Sequence, residues 1–106
     1  MQARLTGDAV FLATQRCRNA VQDMDWDHDD VARLIRALTS QDYRNSEWCE
    51  SSGGVITDAD VYMLYYDPID QCRGDRARHR RYYVKFGFRP NDHRLMVMVF
   101  SCHLSL

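Results

Sequence analysis

The segments RYYVKFGF at residues 81–88 and RLMVMVFSCHL at residues 94–104 decide the fold of this sequence. Both are rich in β-branched and aromatic residues, which favour strands. Between them, PNDH at residues 90–93 carries turn-forming side chains, so the two strands are predicted to pair as an antiparallel hairpin. The sequence therefore predicts a sheet towards its C-terminal end.

Strand alternation predicts which side chains share a face of this hairpin. On the first strand, Tyr83 and Lys85 are expected on one face. The opposite face is more apolar and is expected to pack on helices; it carries Tyr82, Val84, Phe86 and Phe88. On the second strand, alternation separates Ser101, His103, Val97 and Val99 from Met98, Phe100 and Cys102.

The first forty residues predict two helices. In the first, which Thr6 is expected to cap, apolar residues recur at helical spacing from Val10 onward. The second begins more sharply at Asp27, because an aspartate is a good N-cap and Asp29 and Asp30 favour the positive end of the helix dipole. Its apolar stripe, expected to face the core, consists of Val31, Leu34, Ile35 and Leu38.

Residues 41–58 show no apolar period and include a Ser-Ser-Gly-Gly turn at 51–54, so they predict a long loop. Residues 60–66 are typical of a strand. Helices followed by a small antiparallel sheet that ends in a hairpin predict an α+β fold. At 106 residues the chain is too short for two ordinary domains, so residues 1–106 are expected to form one.

Composition excludes several classes of protein. With 45% hydrophobic and 27% charged residues, the chain is expected to fold rather than to remain disordered. It has neither eighteen consecutive apolar residues nor the start of a secretion signal, so we expect a soluble cytoplasmic protein without membrane contact. The four cysteines are widely spaced, which favours reduced thiols over a structural zinc site, and no cofactor is predicted.

Charge is distributed unevenly along the chain. Residues 73–106 contain eight Lys and Arg against two acids, whereas residues 1–72 contain six against thirteen. The basic excess is concentrated in an arginine cluster of Arg73, Arg76, Arg78, Arg80 and Arg81. Guanidinium groups at this density favour an anionic partner and bidentate phosphate contacts. A solvated loop that pairs with the acidic helices of the same chain would have the same composition.

Four short matches resemble the motility quorum-sensing regulator (MqsR) family over residues 5–103. LTSQDYRNS at residues 38–46 is similar to the family's L-S-x-x-D-F-Y-K-S, and DVY at 60–62 is similar to the end of its W-Q-D-V-Y. YVK at 83–85 resembles Y-[LV]-K, and SCH at 101–103 stands where the family has S-F-K. The resemblance rests on the order and spacing of these matches.

The resemblance implies a RelE-like fold and a toxin of a type II toxin-antitoxin system. Such toxins cleave mRNA without a ribosome or a metal, and a cognate antitoxin that is also a DNA-binding repressor inhibits them. Carried over by position, the family's tyrosine is Tyr83 and its second lysine is replaced by His103. Its first lysine aligns with Asn45, next to Arg44, and its glutamine aligns with Ala59.

These residue types suit metal-free RNA cleavage. That reaction requires a base for the ribose 2′-hydroxyl, an acid for the departing 5′-oxygen, and positive charge on the phosphorus centre. We expect His103 to be the acid or the base, with Tyr83 as its partner or as a donor to the phosphate. Lys85 and Arg44 are the expected phosphate stabilisers, and Asn45 and the arginine cluster the expected RNA-binding residues.

The sequence also allows other interpretations of these residues. Exposed rings such as Tyr43 or Trp48 are candidates for stacking on unpaired bases. Tyr83 also fits a plain packing role in a sheet, and a histidine near a chain end, such as His103, is often idle. The function alternatives are a catalytically weakened relative that binds RNA or its antitoxin, and an adaptor whose arginine cluster meets an acidic protein.

Overall fold

The computed structural model describes residues 5–91 and 94–105. These residues form the predicted α+β fold, with two α-helices beside a six-stranded sheet. The helices are α1 (Gln15–Asp23) and α2 (His28–Arg36). The strands are β1 (Val10–Leu12), β2 (Tyr43–Glu50), β3 (Ile56–Asp67), β4 (Cys72–Arg73), β5 (Arg80–Asn91) and β6 (Arg94–Leu104).

The sheet is mixed rather than purely antiparallel. Its strand order is β1-β6-β5-β3-β2, with β4 paired to one end of β3. β1 runs parallel to β6, and the other neighbours are antiparallel. The expectation of an all-antiparallel sheet is wrong at this edge, because the residues from Val10 to Leu12 pair with distant Val97 to Val99 instead of joining a helix. A three-residue strand is too short for periodicity to reveal it.

The structure confirms one of the two predicted helix N-caps and not the other. Asp27 caps α2 as predicted: its carboxylate accepts from the Asp30 N–H, and the Asp30 carboxylate accepts from the Asp27 N–H. Thr6 does not cap α1. The cap is Thr14, whose hydroxyl accepts a hydrogen bond from the Cys17 N–H at 3.0 Å.

Much of the predicted loop is strand β2. Seven of its eight residues are exposed, because β2 is an edge strand of the sheet and neither of its faces is covered. The strand therefore lacks the alternation on which a strand prediction depends. The turn predicted at residues 51–54 is present between β2 and β3.

The predicted C-terminal hairpin is confirmed in β5 and β6, which are paired from Tyr82 opposite Leu104 to Asn91 opposite Arg94. The turn residues Asp92 and His93 lie outside the described residues. One irregularity changes the faces: Phe86 lies opposite Val99 and Lys85 lies opposite Ser101, so Phe100 is an extra residue in a β-bulge.

The bulge overturns the predicted faces of the last strand. Val97, Val99 and Cys102 belong to the main core, whereas Met98 and Phe100 pack on the other side of the sheet. Cys102 therefore faces the helices together with the two valines, and Ser101 and His103 do not. We call the side that the helices cover the helix face, and the opposite side the outer face.

The main core lies between the helices and the helix face. It includes Tyr82, Val84 and Phe86, as strand alternation predicts, and they pack with the apolar stripe of α2. The prediction is wrong for Phe88, which is 41% exposed and lies outside this core. A smaller group, the outer cluster, lies on the outer face and consists of Ala13, Ala59, Met98 and Phe100. In the described part of the chain, the helices are too short to cross a lipid bilayer.

Candidate functional site

Tyr83 and His103 form a stacked pair on the outer face. They are directly opposed in the β5–β6 ladder, with ring centroids 5.0 Å apart and ring planes inclined by 11°. The bulge at Phe100 produces this arrangement, because it moves His103 to the face that Tyr83 occupies. A phenol and an imidazole thus present their polar edges to the same region of solvent.

The backbone fixes one nitrogen of the imidazole. His103 Nδ1 lies 2.9 Å from the carbonyl oxygen of Leu104, which can only accept, so Nδ1 carries the proton in this contact. In the neutral ring Nε2 is then the unprotonated nitrogen. His103 is exposed, so Nε2 is accessible as a proton acceptor and, once protonated, as a donor.

A groove of about 450 Å³ runs along this pair. It exists because β1 pairs with β6 only at Val97 to Val99, and α1 lies beside the rest of β6. The groove is lined by Tyr83, Phe100, Ser101 and His103 from the sheet, and by Arg16 and Ala20 from α1. The buried thiols Cys17 and Cys102 lie at its floor.

Arg16 is the groove residue that the sequence did not identify as a candidate. Its side chain is exposed and takes part in no ion pair within the described part of the chain. Its position in the predicted first helix does not indicate that it adjoins a groove shared with Tyr83 and His103. A small residue one turn later, Ala20, leaves the guanidinium accessible, and this spacing is the only signal in the sequence.

On the outer face, Lys85 lies in the cross-strand row next to that of Tyr83 and His103, opposite Ser101 on β6. Its Nζ is 3.0 Å from the Glu47 carboxylate on β2, which reaches across β3 to meet it. Burial acts to lower the pKa of Lys85, but the hydrogen bond and negative charge of Glu47 outweigh it, so the pKa lies above its ordinary value. Lys85 is a firmly protonated cation whose charge is largely balanced within the chain.

The residues at the start of β2 are displaced from the pair. Arg44 is the extra residue of a second irregularity, between Tyr43 and Asn45, and its guanidinium donates to the carbonyls of Gln41 and Tyr43. Asn45 is exposed and lies in the same cross-strand row as Lys85, two strands away. The structure therefore shows no contact of Arg44 or Asn45 with Tyr83 or His103.

The arginine cluster is divided between several places. Arg73 forms a bidentate pair with Asp42, at 2.6 and 3.1 Å, and Arg78 pairs with Asp75 at 3.0 Å. Both pairs lie within the chain, but the alternative of pairing with the acidic helices is wrong for them, because Asp42 follows α2 and Asp75 lies in the arginine-rich loop itself. Arg76 is exposed in the loop, and Arg80 and Arg81 are neighbours on β5 that point to opposite faces. Of the five, Arg81 shares the outer face with Tyr83.

The aromatic candidates for base stacking lie on the other side of the sheet. Tyr43 contacts the ring of Tyr62 in the helix-face core, and its hydroxyl is 2.6 Å from Ser46 Oγ. Trp48 shares the Ser46 face by alternation and is 77% exposed. Neither ring reaches the groove.

The thiols and the remaining family position are inert. Burial raises the pKa of Cys17 to about 11 and that of Cys102 further still, so both remain protonated thiols. Ala59, which aligns with the family's glutamine, is fully buried in the outer cluster. Among residues 5–91 and 94–105, no three His, Cys, Asp or Glu side chains are grouped as metal ligands.

Comparisons with protein-family models, with curated proteins and with solved structures found no match to this chain.

Proposed function

We propose that this protein is a metal-independent endoribonuclease with a RelE-like domain, a cytoplasmic toxin of a type II toxin-antitoxin system similar to the MqsR family. Its substrate is single-stranded mRNA, and a cognate antitoxin that is also a DNA-binding repressor inhibits it. The observation that carries the proposal is the stacked Tyr83 and His103 pair beside an open groove, which is also lined by Arg16, a cation without an ion pair among the described residues.

The pair supplies the proton transfers of RNA cleavage. In the proposed step, His103 Nε2 accepts the proton of the ribose 2′-hydroxyl, and the 2′-oxygen attacks the adjacent phosphorus. The bond from phosphorus to the 5′-oxygen breaks, and the leaving oxygen takes a proton from the Tyr83 phenol, which solvent water then reprotonates. The products are a 2′,3′-cyclic phosphate and a 5′-hydroxyl. Tyr83 donates a hydrogen bond to the phosphate from the neighbouring position.

Arg16 is the proposed phosphate anchor. Negative charge increases on the non-bridging oxygens in the transition state, and a cation that is not already neutralised stabilises it best. Lys85 is paired with Glu47, and Arg44 donates to its own backbone, whereas Arg16 borders the groove without an ion pair in the described chain. This assignment moves the phosphate contact from the arginine cluster to α1.

A second candidate function is supported by one observation. Ala59 is fully buried where the family has a glutamine, so that position offers no side chain to RNA. A catalytically weakened relative that still binds RNA or the antitoxin follows from this loss. Such a relative would have the same groove as the proposed nuclease but would cleave RNA more slowly.

Cleavage of a mixed-sequence RNA in excess chelator tests the proposal. We expect the parent protein to cut at discrete sites, and His103→Ala to cut at least about a hundredfold more slowly, the usual contribution of a general acid or base. His28→Ala is the matched control, because His28 is an exposed histidine at the start of α2, away from the groove. Intact RNA that is bound by the parent supports the weakened relative, and equal cleavage by parent and His103→Ala refutes the role of the pair.

A further inference from the structure

A second depression lies on the outer face, at the opposite end of the hairpin from the groove. Its volume is about 390 Å³. Its walls include Phe11 from β1, Arg89 from β5, Met96 and Met98 from β6, and the turn between β2 and β3. We call it the outer depression.

Outer-face side chains line both sites: Met96 and Met98 line the outer depression, and Tyr83, Phe100 and His103 line the groove. Phe11 lies beside Met98 in the parallel ladder, and Arg89 lies opposite Met96 in the hairpin. Met98 packs with Phe100 in the outer cluster, and Phe100 in turn lines the groove. The outer cluster therefore lies between the two sites; we call it the ridge, and its Met98 and Phe100 are only 7% and 5% exposed.

The side chains of the outer depression suit a nucleobase. The Phe11 ring is 47% exposed, although phenylalanine in a strand of this size is usually covered, and stacking on a base would cover it. Met96, which is partly exposed, offers a soft, adaptable surface against a flat ring. Arg89 is exposed and, within the described residues, takes part in no ion pair, so its charge is available to a phosphate.

We propose that the outer depression is a base-binding subsite for the same RNA strand that the groove cleaves. This inference rests on the proposed function. Lys85, beside the groove, and Arg89, at the outer depression, are separated by about 13 Å along β5. A single strand that crosses the ridge thus places its scissile phosphate at Tyr83 and His103 and a base a few nucleotides away against Phe11.

The single charge and the exposed ring together favour RNA over a protein side chain as the occupant. A nucleotide carries one anionic phosphate and one flat base, and the outer depression is lined by an exposed ring and by a guanidinium that forms no ion pair with the residues the structure describes. An apolar protein segment would match the ring and leave Arg89 without a partner. Binding of a protein instead of RNA is an outcome that the experiment detects as a loss of the expected RNA effect.

Binding of 2′-O-methyl oligonucleotides of increasing length tests the subsite, because their blocked 2′-oxygens prevent cleavage. Fluorescence anisotropy on the full chain is expected to show affinity that rises steeply once the strand is long enough to reach Phe11. In Phe11→Ala this step is expected to disappear, with about tenfold weaker binding of the longer strands. Phe11→Trp is expected to retain the step, and Trp48→Ala, which removes an exposed ring from the helix face, leaves it unchanged.

The outcomes separate the subsite from the proposed function. An unchanged length step in Phe11→Ala overturns the subsite, even if unmodified RNA is cleaved normally. Loss of the step in Phe11→Ala without any cleavage of unmodified RNA by the parent supports the subsite and refutes the nuclease. A parent protein that binds no oligonucleotide of any length overturns both.

Discussion

Replacing Arg73 by alanine is expected to destabilise the fold without affecting RNA binding. Asp42, whose side chain is 8% exposed, accepts two hydrogen bonds from Arg73 and two from Thr39. Arg73→Ala removes the first two and leaves a nearly buried carboxylate half satisfied. Charge-assisted hydrogen bonds contribute about 1.5–3 kcal/mol, and the partial exposure of Arg73 reduces this, so we expect a loss of about 2 kcal/mol.

This loss is expected to depend on pH. Burial acts to raise the pKa of Asp42, but the hydrogen bonds from Arg73 and Thr39 outweigh it, so the pKa lies below its ordinary value of 3.8. A lowered carboxyl pKa adds stability that is fully present above the unfolded value and is lost as the pH falls through the folded value. The stability difference between the parent and Arg73→Ala should therefore be constant near neutral pH and shrink below about pH 4.

Urea unfolding of the parent, Arg73→Ala and the control Arg76→Ala measures the effect. A loss of about 2 kcal/mol corresponds to a melting temperature about 10 °C lower for a chain of this size. Arg76 is an exposed member of the same cluster, and its removal is expected to change stability by less than about 0.5 kcal/mol. Equal stability of the two variants, or weakened RNA binding in Arg73→Ala alone, would refute the structural role of the Arg73 pair.

Three further predictions concern the groove and the thiols. Arg16→Ala is expected to leave the melting temperature unchanged and to reduce the salt dependence of RNA binding, with a slope in log[salt] smaller by about 0.7; an unchanged slope argues against the phosphate anchor. Glu47→Gln removes the negative charge that balances Lys85, so RNA affinity is expected to rise. An affinity at or below that of the parent would show that Glu47 does not neutralise Lys85 towards RNA. Iodoacetamide should modify exposed Cys72 quickly and buried Cys17, with its pKa of about 11, only on unfolding; mass spectrometry of timed samples shows the order.

Local chemistry made several elements predictable from the sequence. Asp27 and Asp30 contain the whole capping box within four residues, so the start of α2 required no knowledge of the rest of the chain. Likewise, the alternation of Tyr82, Val84 and Phe86 identified the buried face of β5, because that face is covered in the middle of the strand, whereas Phe88 towards its end is exposed.

The elements that the sequence did not predict depend on distant contacts. β1 exists only because Val10 to Leu12 meet Val97 to Val99, and β2 is exposed on both sides, so neither has a local signature. The bulge at Phe100 had the largest consequence. Strict alternation put His103 on the face of Val97 and Val99, and one extra residue moved it beside Tyr83.

The candidate site was predicted in part for the same reason. Tyr83 and His103 were identified by motif position, and the ladder brings them together. Arg16 lies far from both in sequence, and its relation to them depends on how α1 follows β6 beyond the end of β1. The arginine cluster was predicted to bind RNA because of its density in the sequence. The acids that neutralise Arg73 and Arg78 become evident only in the folded chain.

The chemistry at one phosphodiester tests the central claim most directly. Once a cleavage site is mapped, an RNA that lacks only the 2′-hydroxyl on its 5′ side is offered to the parent protein in chelator. We predict that cleavage at that bond stops, that other sites are still cut, and that the products of unmodified RNA end in a 2′,3′-cyclic phosphate and a 5′-hydroxyl. Continued cleavage at the modified bond, or products with a 5′-phosphate, would contradict proton transfer from that hydroxyl to His103.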